Sequence, residues 1–252
     1  MVGTYSRITV ILGTAVAVWG CGAGVRDRSE TSSPDVVHAE DSDETSGKGT
    51  TAKLQDATPE TLYQAAIQDA AVASTDEVFP LKAPTGDRVT VLTWVSDKYL
   101  SSYPVGSRTT LSWGNVWVTL VPEVQEKCRQ YSDVDLRLRL QQLLGLPPKE
   151  ESRTFVVMEA KVGDLFRPCI EPDVHAAKCT VTGSTTDAAH ALFYANQTAI
   201  SYTTPGGYPW TRLGYTFDWN PDTSEYGASE YVLREGAVVT VKSLVSTAEY
   251  CR

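Results

Sequence analysis

Positive charge is scarce in this sequence: 22 Lys and Arg stand against 31 Asp and Glu, for a formal net charge of -9 at pH 7. That balance argues against nucleic-acid binding through a basic footprint. No G-x-G-x-x-G and no P-loop occurs, so the Gly-rich phosphate cradles of the common nucleotide folds are missing. No G-x-S-x-G occurs either, since Gly227-Ala228-Ser229-Glu230 lacks the second glycine of a nucleophile elbow. There is no C-x-x-C, no internal repeat and no alternation of strand and helix of the βαβ kind. Cys169, His175, Cys179 and His190 have the ligand types zinc accepts. Their spacing is looser than a finger's, and an oxidising compartment competes for both thiols. Neither a metal nor a cofactor is expected.

What is present begins with a leader. Arg7 supplies a positive start, Ile8 to Val18 is apolar but too short to span a bilayer, and Val18-Trp19-Gly20-Cys21 closes it. This ending resembles the lipobox of bacterial lipoproteins. The resemblance covers only the first twenty-odd residues. It implies cleavage after residue 20, a diacylglyceryl group on the sulfur of Cys21, and a membrane partner through that lipid. Gly22 is not the Asp that retains Gram-negative lipoproteins at the inner membrane, so the expectation leans to the outer membrane of a bacterial cell envelope. Residues 21–58 then read as a tether rich in Ser, Thr, Gly, Asp and Glu, unable to bury enough to order itself. As a coil it would span roughly 35 Å. His38 lies within it as a solvated bystander.

The five cysteines are Cys21, Cys128, Cys169, Cys179 and Cys251. Four remain in the body, an even number, which in an exported protein favours two disulfides in one of three connectivities. Cys169 and Cys179 are close enough in sequence to close a small loop, and Cys128 and Cys251 would then tie the chain end to the body.

Residues 59–252 read as one α+β domain of mixed strands and helices. Thr58-Pro59-Glu60 opens a helix, with Leu62, Ala65, Ala66, Asp69, Ala70 and Ala73 at helical spacing. Strands are expected at Arg88–Val95, Val116–Val121 and Phe155–Ala160. Ser132 to Asp135 looks like a capping box before a leucine-faced helix, and Asp187 caps another helix. Ser229–Leu233 and Ala237–Leu244 alternate around Glu235-Gly236, the signature of a hairpin.

The densest aromatic stretch is Gly206 to Pro221, GGYPWTRLGYTFDWNP. From Leu213 its large apolar residues alternate with small or polar ones, which predicts a half-buried strand. Such rings suffice to fill a core. They also suit a binding surface in which Tyr208, Trp210 and Tyr215 supply rings and Arg212 and Asp218 supply polar groups, for a glycan, a peptide or an envelope protein. The alternative is an exported transferase or nuclease-like hydrolase. Histidine is the side-chain type that changes charge near neutrality, which makes His190 a candidate; Glu230 beside apolar strands could have its pKa raised, and Arg212 could hold an anion bidentately. That reading requires the three to converge.

Overall fold

The computed structural model describes residues 57–252. The leader, Cys21 and nearly all of the tether lie outside the described residues.

Helix α1 (Pro59–Ala70) starts as its sequence demands: the Thr58 hydroxyl accepts from the Thr61 amide, proline takes the first turn, and Glu60 sits near the positive helix end. Its buried face is Tyr63, Ala66, Ile67 and Ala70, so of the residues at helical spacing Ala66 and Ala70 turn inward while Leu62, Ala65 and Asp69 are not buried. The two large side chains, Tyr63 and Ile67, set the roll of the helix. Strands β1 (Arg88–Ser96), β2 (Arg108–Thr110) and β3 (Val116–Leu120) follow, then helices α2 (Glu123–Cys128) and α3 (Leu136–Leu143). The cap of α3 is Asp135 itself, whose carboxylate accepts from the amides of Arg137 and Leu138. The Ser132 capping box does not form. Strands β4 (Arg153–Lys161) and β5 (Leu165–Phe166), helix α4 (Ala188–Ser201), strands β6 (Tyr215–Phe217), β7 (Tyr226–Leu233) and β8 (Val238–Ser246), and helix α5 (Thr247–Tyr250) complete the chain.

All pairings are antiparallel, in the order β2-β8-β4-β1-β3-β7-β5, with β6 also on β7. The fold is thus an α+β domain on one eight-stranded sheet. β7 and β8 do not form the expected hairpin. Gly236 donates to the Leu111 carbonyl and Leu111 donates to Ala237, so the turn residues pair with the segment after β2. β7 and β8 then leave toward different partners.

One face of the sheet packs a core of Val91, Val118, Val156, Met158, Tyr231 and Val239. Leu111, next to one edge strand, and Leu165, on the other, belong to the same core, so the sheet curls around it. The opposite face carries Leu92, Trp94, Phe155 and Ala228 against Val124, Leu140 and Leu143 of the helices.

Two disulfides are present. Cys128–Cys251 joins α2 to the chain end across 123 residues, and Cys169–Cys179 closes a ten-residue interval. In the chain-entropy view the long loop gains more, about 5 kcal/mol against about 3.

Candidate functional site

The helix-bearing face of the sheet does not close. Between it and α4 lies a cavity of about 410 Å³. Leu92, Trp94, Trp117, Thr119, Phe155 and Glu230 line it from the strands. Gln197 and Ile200 of α4, the Tyr208-Pro209-Trp210 segment, Leu144-Gly145-Leu146 after α3, Val124 of α2 and Thr216 and Phe217 of β6 also line it. Ile200 and Tyr208 are 57% and 44% exposed, which marks the side open to solvent.

Register explains the sheet side. Glu230 stands opposite Thr119, and Thr119 stands opposite Leu92, so the three form a row across β7, β3 and β1. Trp94 lies opposite Phe155, their rings stacked at 5.7 Å. Trp117 meets Trp210 edge-on at 6.4 Å, and Phe193 of α4 packs on both.

The loop side is held by main-chain bonds. Tyr208 donates to the carbonyl of Ser201 at the end of α4, and Gly207 donates to Thr203, both at 2.7 Å. Tyr63 of α1 donates to Gly207, and Tyr202 donates to Trp210. A Cβ on Gly207 would fall on the Ser201 carbonyl oxygen, so only glycine lets the chain turn back this tightly.

Glu230 is the ionisable carboxyl of the cavity. Its side chain has no hydrogen-bond or ion-pair partner among the described residues. The area it exposes opens onto the cavity, so a partly accessible side chain is still surrounded by protein. Desolvation therefore pushes its pKa up, from the ordinary 4.5 to about 8, with no charged neighbour contributing. Among the described residues no Lys, Arg, His or Asp lines the cavity.

The other sequence-selected residues lie elsewhere. His190 is fully buried, its Nε2 donating to the Cys169 carbonyl at 2.6 Å, with Phe166 and Phe193 against its ring. It braces the small disulfide loop. Arg212, at φ 60°, donates to the carbonyls of Ala70 and Ala71 and lies over the Tyr202 ring. It neutralises the carbonyl end of α1. Asp218 forms a buried bidentate pair with Arg139 at 3.0 and 2.7 Å. Tyr215 donates to the Glu77 carbonyl and packs edge-on against Phe79 and Tyr226. Burial keeps its phenol well above the usual range. Of the residues selected from sequence, Glu230, Tyr208 and Trp210 come together, and His190, Arg212, Tyr215 and Asp218 do not line the cavity.

Leu213 to Trp219 is buried on both faces, not one. Its small residues fit between layers: a Cβ on Gly214 would come within 2.8–2.9 Å of Cys179 Sγ, Arg167 and Leu81. Sequence reasoning passed over Trp94, Trp117, Thr119, Phe155 and Ile200. The alternation in Val116–Val121 does set Trp117 and Thr119 on one face, but only pairing with β7 puts that face beside Glu230.

No protein-family model, no curated protein and no solved structure matches the chain. Fold and site together define a disulfide-stabilised α+β domain with a single lone carboxyl in an aromatic-lined cavity.

Proposed function

We propose that this is an exported binding module that takes a compact, mostly apolar ligand in the cavity between the sheet and α4. One observation carries the reading: an aromatic-lined space of about 410 Å³, open past Ile200 and Tyr208, whose one carboxyl, Glu230, has no ion-pair partner among the described residues. A few polar side chains, Thr119, Gln197, Tyr208 and Thr216 besides Glu230, are too sparse for the many hydroxyls of a glycan. Binding is preferred to catalysis because His190 and Arg212 are both engaged with main-chain carbonyls away from Glu230.

Two disulfides are consistent with an extracytoplasmic compartment. Among the described residues no helix is long and apolar enough to cross a membrane. Together with the lipobox-like leader this supports a lipid on Cys21 as the anchor, in an envelope lipoprotein of the outer membrane. Mass spectrometry of the mature protein reads that lipid directly.

The binding claim is tested with the neutral fluorophore N-phenyl-1-naphthylamine, excited by energy transfer from the cavity tryptophans. Saturable one-to-one binding is expected, lost or strongly weakened in Ile200→Trp, which narrows the mouth at an exposed position. No saturable binding, or binding indifferent to that substitution, contradicts the reading.

A further inference from the structure

We propose that the preferred ligand of the cavity is an organic cation: an ammonium group on a compact apolar body, its nitrogen against the Glu230 carboxylate and its body among the aromatic rings. This rests on the binding reading above and specifies its ligand.

Glu230 projects from β7 into the cavity, and among the described residues no donor bonds its carboxyl. Among the described residues the lining holds no cationic side chain, so a phosphate, sulfate or carboxylate would meet a carboxyl and no counter-charge. An apolar ligand with no polar group leaves the carboxyl desolvated. An ammonium supplies both the missing charge and the missing hydrogen-bond donor, and in a water-poor site such a charge-assisted bond is at its strongest. Trp117, Tyr208 and Trp210 stand at the same cavity, and indole and phenol faces attract a cation held nearby.

Other charged groups on the surrounding elements are directed elsewhere. On α2, Glu123 takes a hydrogen bond from Ser229. Glu126 of the same helix pairs with Lys82, and Lys127 lies over the Tyr226 ring. On α3, Arg137 is engaged with Asp135 and Glu150. Asp218, after β6, is held by Arg139, and Arg212 by the end of α1. On the sheet, Arg153 of β4 donates to the Trp94 carbonyl and Glu159 pairs with Arg88 of β1. His190, earlier on α4, is engaged with Cys169. Tyr208 is the one other ionisable side chain in the lining.

The free carboxyl holds its proton until about pH 8. An ammonium must displace that proton, so its binding releases one and strengthens as pH rises. A neutral ligand accepting a hydrogen bond from the protonated acid behaves oppositely, weakening above pH 8.

The experiment titrates adamantan-1-amine and its near-isostere adamantan-1-ol into the folded protein between pH 6 and 8.5, by calorimetry and by displacement of N-phenyl-1-naphthylamine. The amine is expected to gain about tenfold in affinity per pH unit up to about pH 8, with release of about one proton at pH 7. At pH 8 it should bind at least about tenfold tighter than the alcohol. In Glu230→Gln, checked for folding by circular dichroism, the ratio should fall to within about threefold. Should that variant not fold, the proton release and pH dependence of the wild-type protein decide alone. Amine and alcohol binding equally, with no proton released, overturns the cation proposal while leaving the binding module standing. If neither they nor the fluorophore binds, the module reading fails as well.

Discussion

Two carboxyls sit close together in the chain and among similar rings, yet meet opposite fates. Asp218 follows β6, buried to 4%, and receives both arms of the Arg139 guanidinium and the Asn220 amide. Glu230, on the strand that pairs with β6, faces a space lined by no cationic side chain, and among the described residues no donor bonds its carboxyl. A buried charge is tolerated only when its lone pairs are answered, and Asp218 is answered by the fold. Glu230 is answered by a proton, and this domain leaves room beside it. The difference separates a structural ion pair from a site.

Breaking the Asp218 side should have the largest effect. Arg139→Met strands a buried carboxylate, and urea unfolding at pH 7 should show a loss of about 3–5 kcal/mol. A loss below about 1 kcal/mol would mean that water already answers Asp218, and the contrast would dissolve.

Glu230 should show itself in the pH dependence of stability. Its pKa is raised from 4.5 to about 8, so the native state keeps a proton that the unfolded chain gives up. The stabilisation is complete below about pH 4.5 and is lost as pH rises through 8. Glu123 and Glu225 are also raised by burial, so the comparison must be with Glu230→Gln. Between pH 5 and 8 the wild-type protein should lose on the order of 3 kcal/mol relative to that variant. Parallel curves would contradict the lone carboxyl.

Thr216 supplies a smaller, purely structural comparison between the two. Its hydroxyl donates to the Leu143 carbonyl and accepts from the Ala228 amide. Thr216→Val keeps the shape and removes both bonds, so denaturant midpoints should report a loss of about 1–3 kcal/mol, without the pH dependence expected at Glu230.

Much of the domain could be read from composition and period. β1, β3 and β4 announce themselves by β-branched and aromatic residues, and Asp187 caps α4 with its carboxylate on the Ala189 and His190 amides. Where reading failed, a long-range contact had overruled a local signal. Glu235-Gly236 has the chemistry of a hairpin turn, but Leu111, more than a hundred residues earlier, takes its hydrogen bonds. Gly214, Thr216 and Asp218 look like an outward strand face, but α3, the disulfide and Arg167 lie against them. Arg212 and His190 carry chemistry by type, but Arg212 Nη2 and His190 Nε2 are taken up by α1 and the disulfide loop. Glu230 was legible as a carboxyl among apolar strand residues. That Thr119 rather than a cation would stand opposite it depends on the register of β7 on β3, which no local pattern encodes.

The most direct measurement is a carbon-13 NMR titration of the Glu230 side-chain carboxyl in the folded protein, assigned by its disappearance in Glu230→Gln. A midpoint near pH 8 is expected without ligand, moving down when adamantan-1-amine is bound. A midpoint in the ordinary glutamate range, unmoved by the amine, would mean that water or an unrecognised donor already satisfies the carboxyl, and the cavity would lose the feature that makes it a site.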